Sequence, residues 1–128
     1  MFIDRLKVAI GGLMKNIGID IVKLERFRDF LGDRKKYGRI LSEKEIAVFE
    51  RFVSEKRRLE YLAGRFAAKE AVIKATSGLG RSFSFSDLSV LNDEKGAPYL
   101  DAQVFNDLEI LLTISHTDTD AVAIALVK

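Results

Sequence analysis

The chain has 128 residues, 48% of them apolar and 31% charged, enough for one domain with its own core. Its formal charge of +2 is too small to argue for nucleic acid by itself, and no stacking motif supports a nucleic-acid module. The absence of cysteine excludes a disulfide framework and a thiolate metal site, and no apolar run is long enough to cross a bilayer. A cytoplasmic setting fits these features.

The opening MFIDRLKVAIGGLMKN carries Asp4 early, and its apolar run is short and split by Gly11 and Gly12, so it reads as neither a signal peptide nor an anchor. KNIGIDIV alternates and predicts a strand, with Ile17, Ile19 and Ile21 on one face and Asp20 on the other beside Gly18 and Val22. KLERFRDFL follows with Leu24, Phe27 and Leu31 at helical spacing. Ser42 and Glu45 open SEKEIAVFERFV as a capping box. The spacing predicts the longest helix from about Lys56 to Ser77, with Gly78 as its stop. DLSVL and APYLD read as strands joined by the turn NDEKG. EILLTISH and AVAIALV form a hairpin around TDTD, with Ala121, Ala123 and Ala125 along one face. One strand, several helices and then a run of strands predict an α+β fold, with helices packed on an antiparallel sheet.

The informative residues are charges inside apolar patterns. On the long helix, Leu59, Leu62, Ala63, Phe66 and Ile73 form one stripe, and Glu70 falls in its middle with Lys74 beside it. An ionised carboxylate among apolar residues is costly unless paired or metal-bound. Glu70 therefore has three readings: a pair with a cation such as Lys74, a metal ligand, or an exposed residue on a rotated helix. Asp20 either ligates, caps a neighbouring helix or faces solvent. Oxygen ligands without thiols or a histidine cluster suit Mg2+. His116, the single histidine, ends a strand before a turn. The serine- and glycine-rich TSGLGRSFSFSD can wrap a phosphate through backbone N–H groups, or simply stop the helix.

GIDIVKLERF, LAGRFAAKEAVIKA and LLTISHT occur in that order. The ordered set resembles the holo-acyl-carrier-protein synthase family, the small 4′-phosphopantetheinyl transferases, from about Met14 to Lys128. The resemblance implies a single domain over 14–128 with residues 1–13 extra: an added leader, an upstream start or a real extension. Phe2, Ile3, Leu6 and Ile10 could line one short helical face there, and no chemistry is expected of it. The implied reaction transfers the phosphopantetheine arm of coenzyme A to a serine of apo acyl carrier protein, for fatty acid biosynthesis. By the same resemblance, Asp20 and Glu70 bind Mg2+, Lys74 holds phosphates, and Glu70 or a water it holds is the base. Arg65, Lys69, Ser115 and His116 match positions around coenzyme A, and Gly78, Gly80 and Pro98 match its adenine and ribose side. Arg26 and Arg28 lie in a basic region with Arg34, Lys35 and Lys36. That region is either a solvated face or a dock for an acidic carrier, and Arg26 ranks first.

The resemblance also implies a homotrimer with sites between subunits. The last strand has a branched face (Val122, Ile124, Leu126) and an alanine face. One should meet this subunit's helices, and the alanine face is the one expected to admit a neighbour's layer. The rival readings are a non-catalytic nucleotide- or carrier-binding domain and a nucleic-acid module.

Overall fold

The alternation in the first strand survives folding. A computed structural model describes residues 16–128, so the expectations for the first residues, including the Phe2–Ile10 face, lie outside the described part. Strand β1 (Asn16–Lys23) runs into a 3-10 helix (Leu24–Phe30) rather than an α-helix, yet Leu24, Phe27 and Leu31 are buried as their spacing requires. Helix α1 (Arg34–Tyr37) is capped by Asp33, whose side chain accepts from Lys35 N and Lys36 N. Helix α2 (Glu43–Phe49) starts at a complete Ser42/Glu45 capping box. Helix α3 (Glu55–Thr76) is N-capped by Ser54 and is the longest element. Strands β2 (Ser89–Asn92), β3 (Pro98–Asp101), β4 (Ile110–His116) and β5 (Asp120–Val127) complete the chain. The turn between β2 and β3 is closed by Asp93, whose side chain accepts from Lys95 N and Ala97 N, with Gly96 at φ +85°.

The five strands form one antiparallel sheet in the order β1-β5-β4-β3-β2. β1 and β5 sit side by side because the chain's last strand returns to pair with its first, from Asn16↔Val127 to Lys23↔Asp120. Helix α3 lies across these two strands. Its contact face is small: Ala67, Ala68, Ala71 and Ala75 meet Gly18, Ala121, Ala123 and Ala125, all buried. The approach is so close that a Cβ at Gly18 would lie 2.0 Å from Ala71 O and 2.8 Å from Ala75 N. Larger apolar residues fill the space around this seam. Phe27, Phe49, Leu62, Leu88 and Val90 are fully enclosed, each contributing roughly 1.5–3 kcal/mol by burial.

Two sequence expectations change here. Ala67, Ala68, Ala71, Val72 and Ala75 form the most buried face of α3, while Phe66, Glu70 and Ile73 are half-buried and Lys74 is exposed. Glu70 thus sits on the open edge of the helix and not in the middle of its core stripe. The reason is that alanines allow the closest backbone approach, so the sheet docks on them rather than on the bulkier side chains.

The faces of β5 are likewise reversed. Its alanine face meets this chain's own α3, and its branched face points away from it. In register with Val122, Ile124 and Leu126 stand Ile21, Ile19 and Ile17 of β1, and Ser115, Thr113 and Leu111 of β4. This outer face is strongly apolar and open: Ile17, Ile19 and Ile21 are 41%, 56% and 66% exposed, and Leu111 and Tyr99 are 48% and 45% exposed. Among the described residues, no helix is long and apolar enough to cross a membrane.

Candidate active site

Strand β1 and helix α3 run past each other in opposite directions, with Gly18 against Ala71 and Ala75, and Phe27 against Phe66. Between those two anchor points lie Asp20 on the strand and Glu70 on the helix. Asp20 shares the inward face of β1 with Gly18 and Val22, so the alternation that buries Gly18 also turns its carboxylate toward α3. Lys74, one turn beyond Glu70, donates to Ile19 O at 2.9 Å and to Asp20 Oδ1 at 3.1 Å. The Asp20 side chain is 15% exposed and that of Lys74 52%. Asp20 Oδ2 is buried and has no hydrogen-bond partner. A buried carboxylate oxygen without a partner is expensive, so the site has an unmet demand for a proton donor or a cation.

Hard oxygen donors of this kind fit Mg2+. Among the described residues no group of three or more His, Cys, Asp or Glu could hold a metal. A cation here would rest on Asp20 and Glu70 and complete its shell with water or substrate oxygens, as Mg2+ commonly does.

Beyond Lys74 the helix ends, and Gly78 and Gly80 are exposed, Gly80 with φ +66°. Next to them is a cavity of about 380 Å³ between Ile73, Thr76 and Ser77 on one side and the Arg81–Phe85 segment on the other. Arg81 pins that segment by donating to Val104 O (2.7 Å) and, through two nitrogens, to Asp107 (2.6 and 2.8 Å). The hydrogen bonds from Arg81 hold the Asp107 pKa below the ordinary aspartate value.

On the other flank of the same helix edge, the Arg26 guanidinium lies 4.7 Å over the Phe66 ring and 5.4 Å from the Phe27 ring centroid. Phe66 precedes Glu70 by one turn, so Arg26 borders the open edge of α3. It has no carboxylate partner among the described residues. Arg28 differs. Glu25 holds it at 2.7 and 2.9 Å and Glu55 takes another nitrogen, so its charge is already offset and its pKa is pushed up by these partners, Glu25 foremost.

The remaining sequence candidates go elsewhere. Arg65 is buried and donates to Val90 O (3.1 Å) and Asn92 Oδ1 (2.8 Å), with its guanidinium 4.2 Å over Tyr61. Burial pulls its pKa below the ordinary arginine value. With His116, Glu60, Tyr61 and Asn92 it lines a second cavity of about 360 Å³, where His116 Nδ1 stands 3.7 Å from Glu60. Pro98 pairs with Asn92 across β2 and β3 and belongs to this side. Arg65 and Lys74 are nine positions apart, about two and a half turns, so they leave α3 in opposite directions. Gly78 lies about 20 Å along the axis from Arg65. Ser115 is on the outer sheet face beside Val122.

Lys69 is in neither cavity. Its ammonium is fully enclosed and bonds to Glu45 Oε1 (2.5 Å), Ile40 O (2.6 Å) and Phe85 O (3.0 Å). The family resemblance placed it around coenzyme A. The fold instead spends all three of its N–H groups inside the protein. Burial pulls the Lys69 pKa down, and Glu45 opposes that shift. Sequence reasoning had read Glu45 only as a capping residue, and nothing in its local pattern signalled a buried ion pair 24 positions away.

Comparison with known proteins converges on one family. The 4′-phosphopantetheinyl transferase superfamily profile matches residues 16–127. A holo-[acyl-carrier-protein] synthase of Listeria welshimeri is 37% identical over 91% of this chain and 99% of its own length. One from Halalkalibacterium halodurans is 45% identical over 83% of this chain and 88% of its own. Among solved structures, a Bacillus anthracis holo-(acyl-carrier-protein) synthase in complex with CoA (3′,5′-ADP) superposes with a TM-score of 0.77, at 38% identity, covering 89% of this chain and 96% of that one. A Helicobacter pylori synthase in complex with coenzyme A gives 0.73 at 29% identity, over 88% and 99%. The helix-on-antiparallel-sheet architecture, the ordered motifs and these matches agree: the chain belongs to the 4′-phosphopantetheinyl transferase superfamily.

Proposed function

We propose that this protein transfers 4′-phosphopantetheine from coenzyme A to a serine of apo acyl carrier protein, releasing adenosine 3′,5′-bisphosphate, in the cytoplasm and in the service of fatty acid synthesis. The observation that carries this reading is the partly buried Asp20 carboxylate, unpartnered on one oxygen and tied on the other to Lys74, which itself stands one helical turn from Glu70. Phosphoryl transfer asks a protein mainly for positioning and charge, and this arrangement supplies both.

The residues divide the work as follows. Asp20 and Glu70 would hold Mg2+, which would offset charge building on the transferred phosphoryl group and its leaving phosphate. Lys74 has one N–H beyond those donated to Ile19 O and Asp20, and offers it to a phosphate oxygen. The half-buried Glu70, or a water it holds, accepts the proton of the carrier serine. The cavity beside Arg81–Phe85 takes the nucleotide end of coenzyme A, and Arg26 docks the acidic carrier at the mouth.

Assembly as a homotrimer accounts for two further features. The open isoleucine face of β1, continued by Val122, Ile124 and Leu126, is the kind of patch that a neighbouring copy covers. The coenzyme A candidates also fall into two groups on opposite sides of α3. A site between subunits would join Asp20, Glu70 and Lys74 of one chain to Arg65 and His116 of the next.

Incubating apo acyl carrier protein with this protein, coenzyme A and Mg2+ and weighing the carrier by mass spectrometry tests the activity. A gain equal to phosphopantetheine is expected, and an unchanged mass with the protein folded would reject the reading. Light scattering tests the assembly: a trimer is expected, and a fully active monomer would reject the shared site.

A further inference from the structure

The buried pair Lys69–Glu45 ties together segments that are far apart in the chain. A fully enclosed ion pair is weak evidence for stability, because removing two charges from water offsets their attraction, and apolar replacements of similar volume are often neutral or better. What the pair does uniquely is join segments. Glu45 Oε1 also accepts from Ser42 N (2.8 Å), and Oε2 accepts from Val90 N (2.7 Å). Ser42 Oγ accepts from Ser89 Oγ at 2.7 Å. Lys69 adds the carbonyls of Ile40 and Phe85. The start of α2, the middle of α3, strand β2 and the segment after α3 therefore meet at one ammonium and one carboxylate.

The Phe85 bond matters for the site. Phe85 closes the Arg81–Phe85 wall of the cavity beside α3. Its ring packs at 5.3 Å against Phe66, which carries Arg26 on its other contact. Lys69 directly precedes Glu70, so one turn of α3 presents the ammonium inward and the carboxylate to the cleft. The ammonium thus ties the Phe85 end of the cavity wall to the helix that bears Glu70 and Lys74.

We propose that Lys69 and Glu45 are positioning residues for coenzyme A: they set the width of its cavity by holding the Phe85 carbonyl to helix α3. This deepens the transferase reading and rests on its assignment of that cavity to coenzyme A. A wall displaced by even a fraction of an ångström should be felt in coenzyme A affinity.

The test is the double variant Lys69→Met/Glu45→Gln, which removes both charges together, with Glu45→Gln alone as the harsher form, because it leaves the enclosed ammonium without its counter-charge and turns an amide NH2 toward a backbone N–H or the ammonium. Circular dichroism and thermal melting establish that each is folded. Initial rates are then measured against coenzyme A and against carrier, and coenzyme A binding is measured by calorimetry without carrier. Expected for the double variant is a rise of about tenfold in KM and Kd for coenzyme A with kcat within about threefold of wild type, and a shift in the same sense and at least as large for Glu45→Gln. A merely structural role lowers the active fraction, so kcat would fall with KM unchanged; that result overturns the proposal. Failure of both variants to fold overturns it too, since stability would then be the pair's function. The calorimetric ratio judges the proposal even if the wild type binds coenzyme A without transferring it, which would reject the activity alone. A wild type that does not bind coenzyme A overturns both.

Discussion

Adding one methyl group at Gly18 tests the packing that creates the site. A Cβ there would stand 2.0 Å from Ala71 O and 2.8 Å from Ala75 N, both helix backbone that cannot swing aside. Restoring ordinary contact requires β1 and α3 to separate locally by about 1.4 Å. Overpacking of this kind costs about 1–3 kcal/mol, and backbone on backbone puts Gly18→Ala at the upper end. With a urea slope of about 1–2 kcal/mol per molar, the unfolding midpoint should fall by about 1.5–3 M, compared at one protein concentration. Transfer should suffer more than stability. Asp20 follows Gly18 by two residues, and Glu70 neighbours Ala71, so the same separation moves the two carboxylates apart. A misplacement of about 1 Å can reduce the rate about 100-fold. Urea titration followed by fluorescence or circular dichroism reads the first effect, and carrier mass spectrometry at timed intervals the second. A Gly18→Ala protein with the wild-type midpoint and rate would refute the close approach of β1 to α3 and the site built on it.

Asp20→Ala and Glu70→Ala should each remove most transfer with the fold retained, and Glu70→Gln should do the same while preserving shape; wild-type rates in Mg2+ for any of them would displace the site. Arg26→Ala should weaken carrier binding and flatten its dependence on salt, leaving coenzyme A binding nearly intact, whereas Arg28→Ala should do little because Glu25 and Glu55 already offset that charge. Equal losses for both arginines, read by titration at low salt, would contradict this division. Tyr61 Oη is buried with no hydrogen-bond partner, so Tyr61→Phe should be neutral to about 1 kcal/mol stabilising at pH 7. Burial first, and the Glu45 charge in the same direction, raise the Tyr61 pKa from 10.0 to about 12. A raised folded-state pKa means stability that is fully present below pH 10 and lost as pH climbs toward 12. Tyr61→Phe should therefore unfold less steeply than wild type across that alkaline window, and parallel curves would show that the phenol is not buried in this way.

The local pattern of the chain was enough for its elements. Alternation marked β1, β4 and β5, and Ser42 with Glu45 marked the start of α2, because each depends on neighbours within a few positions; the end of α3 was placed to within a residue, but Gly78 lies inside a 3-10 turn (Ser77–Leu79) and the left-handed stop is Gly80. The ordered motifs were also enough to point at the family. Spacing alone named the buried face of the Leu24–Leu31 segment, but which face of β1, β5 and α3 turns inward was decided only in three dimensions. A period of two defines two faces of β1 without ranking them, and the sheet chose the glycine and alanine side because it lets helix and strand touch backbone to backbone. The same choice left Ile17, Ile19 and Ile21 outside and moved Glu70 from an expected core stripe to an open edge. Lys69 and Lys74 are both lysines of one helix, five positions apart, and no local rule separates them. One meets a carboxylate from α2 and two carbonyls that fold around it, and the other reaches past the helix edge to Asp20, because only packing determines which acceptors and how much water surround a charge.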